Sequence, residues 1–152
     1  MTVRGIGKKI EYIGVPLLIT CIALKIFIPG TFEYSTGSII PLVIAGAVLL
    51  VTGVFLHLYS AFRMLKAFKE KRLLTSGPFA FCRNPMYSTL FFMIIPGLSF
   101  IINTWLLLPI IPVLLIVFYI NINEEEDYLQ NEFREDYSAY KKRATRLIPK
   151  LF

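Results

Sequence analysis

From Ile39 to Leu58 the chain runs twenty residues without a charged side chain. That length falls within the about 17–25 apolar residues with which an α-helix crosses a bilayer. In hydrocarbon every backbone N–H and C=O must be satisfied internally, which favours helices for such a run. Three further stretches qualify, roughly Tyr12–Ile28, Met86–Ile102 and Trp105–Ile122. Composition agrees: 56% of the 152 residues are hydrophobic and 17% are charged, against roughly 25% charged in an ordinary soluble domain. So few charges cannot cover a soluble domain of this size. The apolar excess excludes disorder, and two cysteines exclude a disulfide scaffold. The expected fold is all-α: one polytopic membrane bundle of about four transmembrane helices, with segments 59–85 and 123–152 outside the bilayer.

The basic residues orient this bundle. Arg4, Lys8 and Lys9 precede the first span, and six more lie between spans two and three, from Arg63 to Arg83. A further six follow span four, from Arg134 to Lys150, so that only Lys25 of the sixteen falls elsewhere. By the positive-inside rule both termini are expected to face the cytoplasm. Lys25 ends the first span, where its long stem can reach the interface. No small-residue cleavage site follows that span, so it reads as a retained helix rather than a signal peptide. Cys21 lies in a span and Cys82 on the reducing side, so no disulfide is expected. Only Asn103–Thr104 joins spans three and four, implying a tight helical hairpin. Gly46 and Gly53 offer a close-approach face on span two, and Pro96, Pro109 and Pro112 are expected to bend the last two spans. His57, inside span two, reads as a packed or interfacial residue.

Polar chemistry concentrates in the two cytoplasmic segments. Ser60–Arg72 mixes Phe62, Leu65 and Phe68 with Arg63, Lys66 and Lys69, as a helix lying among anionic headgroups would. Thr75-Ser76-Gly77-Pro78 is expected to break it. Asn84 and Pro85 then read as N-cap and first residue of span three, with Arg83 beside the positive end of that helix dipole. The second segment opens with Glu124-Glu125-Glu126-Asp127 at the end of span four, where acids would oppose a terminating helix dipole. The helix is therefore expected to continue: Leu129, Phe133, Tyr137 and Tyr140 form a stripe at helical spacing, ending near Ile148–Pro149. At least one of Glu125 and Glu126 is then expected to turn inward, and an inward acid at a membrane is a functional candidate. The hairpin brings Arg83–Tyr87 and Glu124–Glu126 to one level, a setting suited to a zwitterionic or sulfonium-bearing cofactor.

Gly77-Pro78-Phe79, then Arg83-Asn84-Pro85-Met86-Tyr87, then Glu125-Glu126-x-x-Leu129, Phe133, Tyr137, Tyr140 and Ile148-Pro149 make an ordered pattern over Thr75–Pro149. It resembles the isoprenylcysteine carboxyl methyltransferase and phospholipid methyltransferase superfamily, integral membrane enzymes that use S-adenosylmethionine without a Rossmann domain. No G-x-G-x-x-G occurs in the chain, in keeping with that. The resemblance implies that Asn84, Pro85, Met86 and Tyr87 wrap the cofactor. Phe79 would line the pocket, Leu73 and Leu74 would form another wall, and Glu125 would hold a polar group of the cofactor. Asn84 replaces the family's histidine, and Thr89 and Arg134 each replace a glycine. Asn121 stands where the carboxyl methyltransferases carry the arginine that engages the substrate carboxylate. Cofactor binding is thus expected to be kept and acceptor recognition altered.

The function expected is methyl transfer from S-adenosylmethionine to an apolar or lipid-like acceptor, as in isoprenylcysteine carboxyl methylation. A phospholipid amine or a small thiol is the alternative acceptor, and a non-enzymatic four-helix membrane scaffold the alternative of another class. Arg83 is the candidate for steering an anionic group. Glu126 is the candidate base should the acceptor be an amine. Membrane lipid is an expected partner; no metal, nucleic acid or protein partner is expected.

Overall fold

A computed structural model describes residues 5–34 and 38–148; Arg4, Pro149 and Lys150 lie outside them. The described residues are helical: α1 is Gly5–Phe27, α2 Ile40–Lys69, α3 Pro78–Phe81, α4 Pro85–Thr89, α5 Ile95–Ile101 and α6 Ile110–Arg143. A π-helical turn, Leu90–Ile94, joins α4 to α5, and a 3₁₀ turn, Trp105–Leu107, lies ahead of α6. Three helical stretches are long and apolar enough to cross a membrane, Ile6–Phe27, Ile40–Lys69 and Trp105–Arg143, and Pro85–Ile101 is a shorter apolar one. The molecule is thus a helical membrane bundle.

Several boundaries differ from the sequence reading. There is no separate headgroup-level helix at Ser60–Arg72, because α2 continues unbroken to Lys69. It stops before Thr75: Lys71 adopts a left-handed φ of 48°. Its N–H donates to Phe68 O (3.2 Å) and that of Arg72 to Ala67 O (3.1 Å). This is the Schellman ending, with a lysine where glycine is usual and its charge favourable at a helix C-terminus. The third span is not one regular helix. Ile95 N–H donates five residues back to Leu90 O, just ahead of Pro96, whose ring and missing N–H disturb the normal ladder. The last helix begins at Ile110, after Pro109, and ends at Arg143 rather than near Ile148–Pro149, with Ala144 already extended.

The expected tight hairpin of spans three and four is splayed. α5 packs chiefly on α2, and α6 on α1. The two halves still share one core: Ile95, Leu98 and Ile102 pack against the cluster that holds Ile110 and Leu114, and the rings of Phe91 and Phe118 stand edge to face within it, centroids 6.2 Å apart. Gly46 and Gly97 make the first pairing possible: a Cβ on Gly46 would lie 2.8 Å from Gly97 O, and one on Gly97 2.8 Å from Leu50 N. Gly53 does the same for the π-helical turn, where its Cβ would lie 2.8 Å from Met93 Cβ. On α6, Ile110, Leu114, Phe118 and Ile122 are buried at steps of four residues, packed with Ile6 and Ile10 of α1. One further step reaches Glu126, 2% exposed. The face that builds the core therefore also carries an acid inward. At the opposite end Lys25 pairs with Glu33 instead of reaching out alone.

Candidate active site

The segment before α4 is held in place by the C-terminal stretch. Gly77 has φ 65° and ψ −135°, a conformation open to glycine, and leads into Pro78. Phe79 is buried against Ala67 and Leu74, and its carbonyl accepts the Tyr140 hydroxyl at 2.6 Å. Cys82 and Thr145 then form an isolated parallel bridge. Arg83 N–H donates to Thr145 O (2.7 Å) and Asn84 N–H to Arg146 O (3.1 Å). The Asn84 side chain makes no helix cap, contrary to expectation. Its Nδ2 donates instead to Arg146 O at 3.1 Å. Pro85 does open α4, and Ser88 Oγ donates to Leu147 O at 2.9 Å.

Beneath this clamp lies an ion cluster. Glu126 Oε1 is 3.1 Å from Arg83 Nη2, Glu126 Oε2 is 3.1 Å from Lys141 Nζ, and Arg146 spans both oxygens at 2.9 and 3.0 Å. Arg146 also donates to Asn123 Oδ1 at 2.9 Å. Burial pushes the Glu126 carboxyl up, but hydrogen bonds from Arg146 and Lys141 and the charge of Arg83 outweigh it, holding the group below the usual carboxylate range. Beside it the buried Tyr137 hydroxyl is pushed up to about 12, by burial first and then by the Glu126 charge. The structure thus joins Arg83 and Glu126 directly. No local motif marks Lys141 and Arg146 in the sequence; the only signal for them is the requirement that a buried acid be paired.

Glu125 faces the other way, toward α1. Its Oε1 accepts the Ile6 N–H at 3.0 Å. Burial pushes its carboxyl above the usual range and neighbouring Glu124 adds to that. Among the described residues no cation pairs with it. An acid in that state fits a cationic ligand group such as a sulfonium or ammonium. The Tyr87 ring forms a triangle with Phe91 and Phe118, centroids 6.4 and 5.2 Å away, and a Cβ on Gly7 would be 3.6 Å from its hydroxyl. Met86 O accepts from Thr89 Oγ1 at 2.9 Å and lies 3.1 Å from His57 Nδ1, so the lone histidine braces this turn. Asn121 donates to Val117 O (2.7 Å), and its Oδ1 accepts Lys9 Nζ at 2.5 Å.

Leu73 and Leu74 separate. Leu74 joins Ala67 and Phe79, whereas Leu73 packs on Tyr137, Tyr140 and Ala144. Leu73 also lines an open groove of about 460 Å³ with Thr75, Phe133, Asp136 and Arg143. The expected residues therefore fall into two neighbourhoods: Asn84–Tyr87 with Glu125 and Asn121 toward α1, and Leu73–Phe79 against the ends of α2 and α6.

A family model described as phospholipid methyltransferase matches residues 38–136, about two thirds of the chain. The matched range contains every site residue expected from the sequence, Leu73 to Glu126, but not α1, Lys141 or Arg146. Among curated proteins none matches the chain.

Proposed function

The chain belongs to the phospholipid methyltransferase family, and from that premise we propose that it moves a methyl group from S-adenosylmethionine to an apolar or lipid-like acceptor entering from the bilayer. The observation that carries this reading is Glu125, a part-buried acid on α6 without a paired cation among the described residues, whose Oε1 accepts the Ile6 N–H next to Gly7, the residue that faces the Tyr87 hydroxyl. In this reading both termini and the site face the cytoplasm, as the distribution of Lys and Arg supports. Asn84, Pro85, Met86 and Tyr87 would wrap the cofactor, with His57 and Thr89 fixing the Met86 carbonyl. Glu125 would orient the cofactor's amino-acid ammonium, a group that S-adenosylhomocysteine keeps. Leu73, Leu74 and Phe79 support the neighbouring wall through their packing on α2 and α6.

When bound, the cofactor would supply a methyl carbon activated by sulfonium for direct transfer to the acceptor heteroatom, leaving a thioether. The protein's part is alignment and exclusion of water, served by the aromatic cluster of Tyr87, Phe91 and Phe118. Glu126, lowered and held by three cations, is a poor base. Its role in this reading is that of a counter-ion. A phospholipid amine is the second reading for the acceptor. The family match favours it, as does an amide at Asn121 in place of a carboxylate-binding arginine.

Calorimetry with S-adenosylhomocysteine on the detergent-purified chain tests the proposal. Wild type should bind. Glu125→Gln keeps an acceptor for the Ile6 N–H but removes the charge, and should weaken binding by roughly tenfold or more, as for a hydrogen bond to a charged group. The same variant should melt higher than wild type without ligand. A raised folded-state pKa means stability is full below the unfolded value and is lost as pH rises through the folded one, so removing the charge helps at neutral pH. No heat with wild type, or unchanged affinity in Glu125→Gln, overturns the reading. Radiolabelled methyl transfer into prenylcysteine, phosphatidylethanolamine or small thiols then identifies the acceptor.

A further inference from the structure

The ion cluster at Glu126 is electrostatically incomplete. One carboxylate faces three cations, Arg83, Lys141 and Arg146, which leaves two positive charges in excess. The Arg83 side chain is only 10% exposed, yet its Nε and Nη1 have no hydrogen-bond partner among the described residues. A guanidinium carries five N–H donors in a fixed fork, and leaving such donors buried and unmade is costly. A cation surplus of this kind is also costly unless an anion compensates it. Lys141 and Arg146 are more open, 38% and 33% exposed in their side chains, and form the outer side of the cluster. The Lys141 Nζ lies 5.8 Å from the centre of the Tyr137 ring, which borders the same space. The carboxylate explains why three cations converge, but not why the deepest of them keeps two donors free.

We infer that Arg83, Lys141 and Arg146 form a binding site for a single oxyanion, with Glu126 as the template that holds the three cations together. Arg83 provides the buried donors, and Lys141 and Arg146 provide the charge at the mouth. The shared chemistry is a carboxylate or phosphodiester group. Its two sources are the amino-acid end of the methyl donor and the headgroup linkage of a phospholipid. The inference rests on the proposed function only for the choice between these sources.

The test uses the full chain in maltoside detergent, with calorimetry against three probes: S-adenosylhomocysteine, 5′-methylthioadenosine, which lacks the amino-acid end, and dihexanoylphosphatidylcholine. Lys141→Gln and Arg146→Gln each remove one cation, and Arg146→Lys restores charge without the fork. Lys141→Gln keeps an N–H donor for Glu126 Oε2 and leaves two cations on that carboxylate, so this variant should stay folded, as a thermal melt checks. If the oxyanion is the cofactor carboxylate, both Gln variants lose tenfold or more for S-adenosylhomocysteine, while 5′-methylthioadenosine is unaffected. If it is a phosphodiester, the loss falls on dihexanoylphosphatidylcholine instead, and Arg146→Lys recovers part of it. Phosphodiester binding with no S-adenosylhomocysteine binding would keep this site and remove the methyltransferase reading. Changes under twofold for every probe in a folded Lys141→Gln or Arg146→Gln protein overturn the inference.

Discussion

At Arg134 the backbone of α6 leaves helical geometry, with φ 43° and ψ −111°. An L side chain with a Cβ rarely adopts that region, whereas glycine does so freely. The freed Arg134 carbonyl is taken up by Gln130 Nε2 at 2.8 Å and Ser138 Oγ at 3.2 Å. The sequence pattern resembles a family that carries glycine here, and the structure supplies the reason. Arg134→Gly should therefore stabilise the protein by about 1 kcal/mol or more, the relief of a strained non-glycine residue. A thermal melt in detergent checks this, and a lowered midpoint would refute it. Glu126 is the reverse case at this scale: its inward position follows from helical spacing, but its charge state follows from residues far along the chain.

Between elements the decisive contact is α2 against α5. Gly46 and Gly53 are seven apart in the sequence, which places them on related faces of a helix, but spacing alone does not distinguish a packing face from ordinary membrane-helix glycine content. The structure separates the two. A Cβ on Gly97 would meet Leu50 N at 2.8 Å and Gly46 O at 2.9 Å, backbone atoms that cannot rotate away. Gly97→Leu should cost about 1–3 kcal/mol or more through overpacking. Gly14→Ala on α1 is the control, since its Cβ would meet only Leu114 methyls at 3.4 and 3.5 Å. It should change stability by no more than about 0.5 kcal/mol. Equal losses in the two variants would show that the α2–α5 contact is not specially close. The end of α2 makes the complementary point: turn residues at Thr75–Pro78 are visible in the sequence, but the helix had already ended through the left-handed Lys71.

For the whole molecule, the C-terminal stretch Thr145–Leu147 ties the α4 start to α6 through backbone bonds to Arg83 and Asn84 and through Arg146 on Glu126. This closure depends on an ionised Glu126. Its folded-state pKa is depressed, so the stability it contributes is present above the unfolded value, about 4.3 for a glutamate. That contribution is lost as pH falls through the folded value. Wild type should therefore lose stability in acid. Glu126→Gln should lose about 3–5 kcal/mol at neutral pH, the effect of breaking one side of a buried ion cluster, and respond less to acid. The exposed Glu33 and Glu70 are also lowered by their partners, so the difference between wild type and variant is the informative quantity. Melts from pH 7 to 3 measure it, and parallel curves would remove Glu126 from the closure.

The sequence by itself determined that this is a helical membrane protein, where its apolar stretches lie, and that the motif at Arg83–Tyr87 and the acids at Glu124–Glu126 stand at the ends of those stretches. All of these are local properties: run length, periodicity and charge placement are written within a few turns of chain. Only the tertiary structure decided that spans three and four splay onto different partners, and that Glu125 turns to α1 while Glu126 turns to Arg83, Lys141 and Arg146. Those outcomes depend on which groups meet after folding. Adjacent residues on a helix point about 100° apart, so one acid met a backbone N–H and the next met three cations.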